Sequence, residues 1–151
     1  MILLDANVIV FSLNPDSRHY RVCRPLVEAV VARQVPGVLF PQVLLEAYAV
    51  MTDRRRTGRP VPPAAAWNEI ATLARAVTVF YPQQHALHGL AGIISNRRPT
   101  GQDVFDAFLV SQMRAAGIGT ICTYSIRDFA GYEGINPEAP DATLARFGLS
   151  A

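Results

Sequence analysis

Lysine is absent from this 151-residue sequence, and all fourteen of its basic residues are arginines. A GC-rich genome accounts for this bias, but the chemical consequence holds whatever its origin. Catalysis that needs a lysine ammonium from this chain is excluded. Nucleotide hydrolysis by a P-loop is excluded as well, because it requires a glycine-rich loop followed by lysine. The net charge of +2 is too small to indicate a partner.

Cysteine and histidine are scarce, with two and three residues. Cys23 and Cys122 lie in apolar surroundings and are not spaced as a ligand pair, so we expect buried thiols in a reducing compartment. His19, His85 and His88 have no matching cluster of cysteine or histidine. Zinc is therefore disfavoured.

Long hydrophobic runs are also missing, and the N-terminus shows neither the basic region nor the cleavage site of a signal peptide. Together with the cysteine usage, this predicts a cytoplasmic protein that does not associate with a membrane. Hydrophobic residues make up 50% of the chain and charged residues 17%, which is typical of a globular protein. The length predicts a single domain over residues 1–151.

Short apolar segments alternate with helical patterns along the chain. The predicted strands cover residues 1–4, 38–40, 77–81 and 120–123. The predicted helices cover residues 21–33, 41–51, 64–76, 86–95 and 103–116. This alternation predicts an α/β fold with a largely parallel sheet and helices on both faces. Ligands of such sheets bind beyond the carboxyl ends of the strands.

Four acidic residues adjoin apolar segments of this predicted sheet: Asp5, Glu46, Asp106 and Asp128. Asp5 ends the first strand, Asp128 follows the last one, and the other two share helical faces with apolar residues. Burying four carboxylates near one another is prohibitive unless they share protons or bind cations. Mg²⁺ or Mn²⁺ fits such a set, because both prefer carboxylate oxygens and support phosphodiester hydrolysis.

Each acid also has an ordinary structural explanation. Asp5 fits a turn cap, Glu46 fits a partner for an arginine at the rim of the core, and Asp128 fits a cap in a loop. Asp103 is placed as an N-cap with Asp106 at the third helical position, so these two acids could simply start a helix. The explanations weaken jointly, because all four acids adjoin one sheet.

Several segments, in order along the chain, resemble the PIN-domain ribonucleases, specifically the VapC-type toxins of bacterial type II toxin–antitoxin systems. The similar segments are "LLDANV", "FPQVLLEAYAVMT", "VFDAFLVSQMRAAGIGTICTYSIRDF" and the trailing "GINP". They cover nearly the whole chain. The resemblance implies a three-layer α/β/α sandwich with a mostly parallel central sheet. It also implies an endoribonuclease dependent on Mg²⁺, or Mn²⁺, that cleaves structured RNA such as transfer or ribosomal RNA.

The resemblance further implies a homodimer and an antitoxin partner whose tail fills an acidic groove. By position, Asp5, Glu46 and Asp106 match the first three catalytic and metal-binding acids of the family. Many relatives have Asp or Asn where this chain has Ser125, which leaves Asp128 as the nearest fourth acid. Asp103 is a possible extra or substitute acid.

Supporting roles are expected for Asn7, Thr123 and Ser125, whose side chains can orient ligands; the two hydroxyls could also bind a phosphate. The segment "DRRRTGRP" supplies four candidate RNA-binding residues: Arg54, Arg55, Arg56 and Arg59. They could bind RNA phosphates, although a solvated basic loop explains them equally well.

Two other functions compete with this interpretation. One is a PIN-like protein that binds RNA or a protein partner without cleaving RNA. The other is a phosphatase that forms an aspartyl-phosphate on Asp5. Phosphatases of the haloacid-dehalogenase type resemble the chain at "LLDANV", but they need an acid where Asn7 stands and a lysine downstream. The missing lysine counts strongly against them.

Overall fold

Five short strands form the centre of the computed structural model, which describes residues 1–150. They are β1 (Ile2–Leu4), β2 (Gly37–Leu39), β3 (Thr78–Val79), β4 (Thr120–Cys122) and β5 (Asn136–Glu138). Their order in the sheet is β3-β2-β1-β4-β5, and every neighbouring pair is parallel. The predicted α/β fold is confirmed, and the sheet is parallel throughout.

Eight helices surround this sheet within residues 1–150. They are α1 (Ala6–Leu13), α2 (Tyr20–Val31), α3 (Pro41–Thr52), α4 (Pro63–Ala76), α5 (Gln84–Arg97), α6 (Asp103–Ala115), α7 (Ile126–Phe129) and α8 (Pro140–Arg146). The chain moves outward from β1 through β2 to β3 and then crosses to β4 on the other side of β1. Since parallel crossovers are right-handed, this reversal puts α1–α4 on one face and α5–α6 on the other.

The central strand β1 is the most buried part of the core. Leu3 and Leu4 are fully buried, as expected for a parallel sheet covered on both faces. Burial of each such side chain stabilises the fold by roughly 1.5–3 kcal/mol. Cys23 and Cys122 are buried free thiols. No helix within residues 1–150 has both the length and the apolar character needed to span a bilayer.

Four elements were not predicted from the sequence: α1, α7, β5 and α8. Helix α1 follows β1 without a connecting loop, because Asp5 ends the strand and caps the helix at once. The end of the strand at Asp5 was predicted, but the nearly continuous apolar residues after it gave no helical period for α1. The third strand is shorter than the predicted 77–81, because only Thr78–Val79 pairs with β2 at the edge of the sheet.

The topology brings distant segments to one edge of the sheet. At the carboxyl end of β1, the backbone N–H of Asp5 donates to the carbonyl of Cys122 at 3.0 Å, so β1 and β4 end side by side. Helix α3 starts right after β2, and α6 leads back to the start of β4. The N-terminal turns of both helices therefore lie at this same edge.

Candidate active site

A groove of about 560 Å³ opens at the carboxyl edge of the sheet. The four predicted acids all line it: Asp5, Glu46, Asp106 and Asp128. They come from four separate parts of the chain, which are the end of β1 and the helices α3, α6 and α7. The structure thus places the four acids around one groove, as the sequence predicts, while their catalytic role stays a prediction.

Asp5 is only 7% exposed, and a network of hydrogen bonds holds its carboxylate. Its Oδ1 accepts from the backbone N–H of Ala6 at 2.6 Å, which caps α1. Its Oδ2 accepts from the Thr123 hydroxyl at 2.5 Å and from the Asn7 amide at 2.6 Å. The turn-cap explanation is therefore correct for Asp5, and it is compatible with a place in the groove.

The same network joins the predicted supporting residues. The Asn7 amide nitrogen also lies 3.0 Å from the Thr123 hydroxyl and 3.4 Å from the Ser125 hydroxyl. The Thr123 oxygen accepts from the Ser125 backbone N–H at 2.8 Å. Buried Thr123 thus connects β4 to β1 and orients the carboxylate of Asp5.

Burial raises the pKa of Asp5 from 3.8 to about 6, since desolvation disfavours the charged form. The hydrogen bonds from Thr123 and Ala6 oppose this rise, and the charges of Glu46 and Asp128 add to it. Asp5 therefore lies within the electrostatic reach of two acids that belong to other elements.

Asp106 lacks such a network. Within residues 1–150 its carboxylate accepts no hydrogen bond. Burial is the largest cause that raises its pKa to about 6, and the negative charges of four other acids raise it further: Asp128, Asp5, Glu46 and Asp103. Uncompensated repulsion of this kind marks a place where a cation would be stabilised. Strongly perturbed carboxylates in a cleft are typical of functional sites.

Asp103 does not cap α6, which corrects the alternative offered for it. The N-cap residue is Gln102, and it makes no capping hydrogen bond through its side chain. Asp103 is the first helical residue and lies outside the main groove, on a neighbouring cavity of about 210 Å³. Asp106 lines both cavities. Of the two acids in α6, only Asp106 faces the groove that contains Asp5.

Glu46 is oriented by a residue that sequence reasoning missed. The side-chain amide of Gln42, four residues earlier in α3, donates to Glu46 Oε1 at 2.8 Å. The spacing of four residues in one helix is the signal that could have revealed this pair. Gln112 in α6 contacts Gln42 in turn, at 2.7 Å.

The donors in the groove fit Mg²⁺ or Mn²⁺ better than a softer metal, because all of them are oxygens. Within residues 1–150, however, no group of three His, Cys, Asp or Glu side chains is arranged closely enough to hold a metal ion. The acids instead surround an open groove. Mg²⁺ keeps several waters and commonly takes only one or two carboxylates from the protein, so an open arrangement suits it.

No protein-family model matches this sequence, and no curated protein sequence matches it either. Solved structures do match. Mycobacterium tuberculosis VapC20, described as a toxin that cleaves the sarcin–ricin loop, is 19% identical with a TM-score of 0.59 over 80% of this chain and 87% of its own. A chain of the DNA-bound VapBC complex from Salmonella typhimurium is 15% identical with a TM-score of 0.65 over 92% and 97%.

VapBC-1 from nontypeable Haemophilus influenzae is similar too, at 16% identity with a TM-score of 0.60 over 93% of this chain and 98% of the matched chain. The chain has the PIN-like fold of VapC toxins. At these identities the similarity establishes the fold alone, and the predicted three-layer arrangement is confirmed at that level.

Within this PIN-like fold, Ser125 and Asp128 both line the groove. Ser125 is the N-cap residue of α7, and Asp128 lies in that short helix rather than in a loop. Both residues therefore lie on the same side of the groove.

Only one of the four predicted RNA-binding arginines lines the groove. Arg56 does so together with Asp53, and the two form an ion pair at 3.9 Å. Arg55 pairs with Asp53 at 3.2 Å, and Arg59 lies 3.7 Å from Asp16. Such exposed pairs contribute little to stability and are readily exchanged for another anion.

Proposed function

We propose that the protein is a metal-dependent endoribonuclease toxin that hydrolyses phosphodiester bonds of structured RNA, such as transfer or ribosomal RNA. The observation that carries this proposal is the meeting of four carboxylates from four elements around one groove, with two of them raised in pKa to about 6. The PIN-like fold supports it. We further propose that the toxin acts in the cytoplasm as a homodimer and that a cognate antitoxin inhibits it.

Bound Mg²⁺ or Mn²⁺ would supply an activated water and stabilise the leaving oxygen. The residues that would hold it are Asp5, Glu46, Asp106 and Asp128. Asp5 is suited to fix the position of a cation, because Thr123 and Ala6 already hold its carboxylate. The remaining acids provide the negative charge that favours a cation.

The substrate side of the proposal rests on Arg56, which adjoins the acidic groove. A phosphate of an RNA backbone could replace Asp53 as its partner, since the exposed ion pair is weak. Arg54, Arg55 and Arg59 would add attraction that depends on salt rather than on RNA sequence.

The antitoxin side rests on the charge of the same groove. An arginine or lysine of a partner protein inserted among the acids would form charge-assisted hydrogen bonds and exclude both metal and RNA. A complex in which the acidic groove stays free of the antitoxin would contradict this part of the proposal.

The test is cleavage of a panel of transfer and ribosomal RNAs by the purified protein with Mg²⁺, with Mn²⁺ and with a chelator. We expect discrete cleavage products only when metal is present, and none from Asp106→Asn. Glu69→Gln is the matched control, because it neutralises an exposed acid of α4 away from the groove. Cleavage that persists with chelator would refute the proposal, and near wild-type cleavage by Asp106→Asn would remove Asp106 from the site.

One observation favours a second candidate, which is a PIN-like protein that binds RNA or a protein partner without cleavage. Ser125 lines the groove where many PIN-domain relatives have Asp or Asn, so this chain offers one acid fewer at that position. The same panel separates the two candidates: RNA retained by the protein but left intact at all metal concentrations would favour binding alone.

A further inference from the structure

Two glutamines link the helix of Glu46 to the helix of Asp106. Gln42 uses its side-chain nitrogen twice, donating to Glu46 Oε1 at 2.8 Å and to the carbonyl of Phe105 at 2.9 Å. Phe105 directly precedes Asp106 in α6. A single amide of α3 thus contacts one groove acid and the backbone beside another.

Gln112 fixes this amide from the side of the core. Its nitrogen donates to Gln42 Oε1 at 2.7 Å, and its side chain is only 2% exposed. Within residues 1–150, the Oε1 of Gln112 is the buried side-chain atom without a hydrogen-bond partner. An unpaired buried oxygen destabilises a fold, because it has lost its hydrogen bonds to water without gaining another. An apolar residue of the same size would therefore serve packing better than Gln112 does.

The orientation of both amides follows from their neighbours. The Phe105 carbonyl can only accept hydrogen bonds, and the same is true of an ionised Glu46 carboxylate. Gln42 must therefore turn its side-chain nitrogen toward them. Its oxygen then faces Gln112, which must donate. If both amides were flipped, the Gln42 oxygen would face two other acceptors. This series of hydrogen bonds, the glutamine relay, therefore has one chemically consistent direction, from Gln112 through Gln42 to Glu46.

We infer that Gln42 and Gln112 are positioning residues that hold Glu46 at a fixed distance from Asp106 and so set the affinity of the groove for a divalent cation. This inference rests on the proposed function. One carboxylate oxygen of Glu46 is held by Gln42, which leaves the other for a cation. Partners of this kind that orient a metal ligand typically account for about 10–100-fold in metal affinity.

The test is titration of the purified protein with Mn²⁺, followed by the electron paramagnetic resonance signal of the free ion and without RNA. Gln42→Met and Gln112→Met remove the hydrogen bonds at nearly constant side-chain volume. We expect each to weaken Mn²⁺ binding by about 10-fold. The double variant should bind no more weakly than Gln42→Met, because the two residues act through one chain of contacts.

Thermal melts without metal separate positioning from a merely structural role. Gln112→Met should melt at or above the wild-type temperature, since it removes the unpaired buried oxygen. Ser111→Ala is the matched control, because Ser111 is 3% exposed in the same helix and donates to the carbonyl of Ala86, away from the groove. It should lower the melting temperature and leave the affinity for Mn²⁺ unchanged.

Wild-type affinity for Mn²⁺ in both glutamine variants would overturn the inference, as would an equal loss of affinity in Ser111→Ala. If Gln112→Met does not fold, Gln42→Met decides alone, because Gln42 is only partly buried. A wild-type protein that binds no Mn²⁺ would instead refute the metal site of the proposed function. That outcome is visible before any variant is compared, so the two failures are distinguishable.

Discussion

The two walls of the groove differ in how their acids are held. On the β1 side, Asp5 is almost fully buried, yet three hydrogen-bond donors surround its carboxylate. On the α6 side, Asp106 is only partly buried and no hydrogen bond holds it within residues 1–150. Both carboxylates nevertheless have a pKa raised to about 6.

The difference teaches that similar pKa values can result from different balances of effects, although burial is the largest cause for both acids. For Asp5, hydrogen bonds from Thr123 and Ala6 oppose the rise in pKa, and the charges of Glu46 and Asp128 add to it. The pKa of Asp106 is raised by burial together with the charges of four neighbouring acids. Hydrogen bonds therefore hold the Asp5 carboxylate in place on the β1 side. On the α6 side, neighbouring acids repel the Asp106 carboxylate, and a bound cation would relieve this repulsion.

The largest expected effect is on cleavage. Asp5→Asn and Asp106→Asn should each lower RNA cleavage by about 100-fold or more, because loss of a residue that merely orients a ligand already lowers activity about 10–100-fold. Cleavage of a labelled RNA under single-turnover conditions measures this effect. A variant that keeps near wild-type cleavage would remove its residue from the site, whichever wall it belongs to.

The second effect tests the β1 side of the groove, where Thr123 holds Asp5. Thr123→Val should lower the free energy of unfolding by about 1–3 kcal/mol, because the buried Asp5 carboxylate loses a donor at nearly constant side-chain volume. It should also raise the pKa of Asp5 further, since the Thr123 hydrogen bond lowers it. Urea unfolding measures the first change.

Thr143→Val is the control for this variant, because Thr143 is also fully buried but donates to the carbonyl of Ala139 and lies outside the groove. It should destabilise the protein without changing its response to Mn²⁺. Wild-type stability of Thr123→Val would mean that the network does not anchor Asp5.

The third effect tests the α6 side of the groove, where neighbouring acids repel Asp106. Without metal, Asp106→Asn should be as stable as the wild type or more stable, by roughly 0.5–2 kcal/mol, because it removes a repelling charge. Millimolar Mn²⁺ should raise the melting temperature of the wild type and that of the variant much less. Clear destabilisation of the metal-free variant would make Asp106 a structural residue.

The fourth effect is the pH dependence of the same pair. The pKa values of Asp5 and Asp106 are raised to about 6 in the folded protein, mainly by burial, whereas an ordinary aspartate has a pKa of 3.8. The folded state thus binds more protons between about pH 4 and pH 6, so this contribution to stability falls as the pH rises through that window.

The wild type should therefore lose about 1 kcal/mol relative to Asp106→Asn between pH 4.5 and pH 7 without metal, discounted for the partial exposure of Asp106. Denaturant unfolding at each pH measures this difference. A difference that is constant with pH would show that Asp106 titrates normally.

The smallest effect concerns the neighbouring acid of α6. Asp103→Asn should reduce cleavage by less than about 3-fold, since its exposed charge is screened by solvent and it lies outside the main groove. The same single-turnover assay measures it. If Asp103→Asn were inactive and Asp106→Asn active, the acid assigned to the α6 wall would be misplaced by one helical turn.

The two walls were also unequally predictable from the sequence. Asp5 and Asp106 stand out because carboxylates interrupt apolar patterns, and the periodicity of those patterns indicates β1, β2, β4 and α6. Asp5 marks the end of the first strand, but helix α1 escaped prediction because its apolar residues follow one another almost without interruption. Periodicity reports which face of a helix is buried, and a nearly continuous apolar segment gives no such period.

The relay of Gln42 and Gln112 was out of reach for a different reason. Gln112 reads as an ordinary polar residue of a helix, and nothing local shows that it is buried or that α3 approaches α6. Its partner lies 70 residues away in sequence. Residues that act by holding another residue are recognisable only once the fold has brought their helices together.

The strand order has a consequence for the time at which the groove comes into being. The central strand β1 is synthesised well before its neighbour β4, and the Asp5–Thr123 hydrogen bond that joins their ends spans 118 residues. Domains generally fold as units during synthesis, and contacts of long sequence separation form slowly. A growing chain that has already exposed Asp5 and Glu46 still lacks β4 and α7. A nascent molecule therefore has no assembled groove until β4 and α7 have been translated, long after Asp5 and Glu46 have left the ribosome.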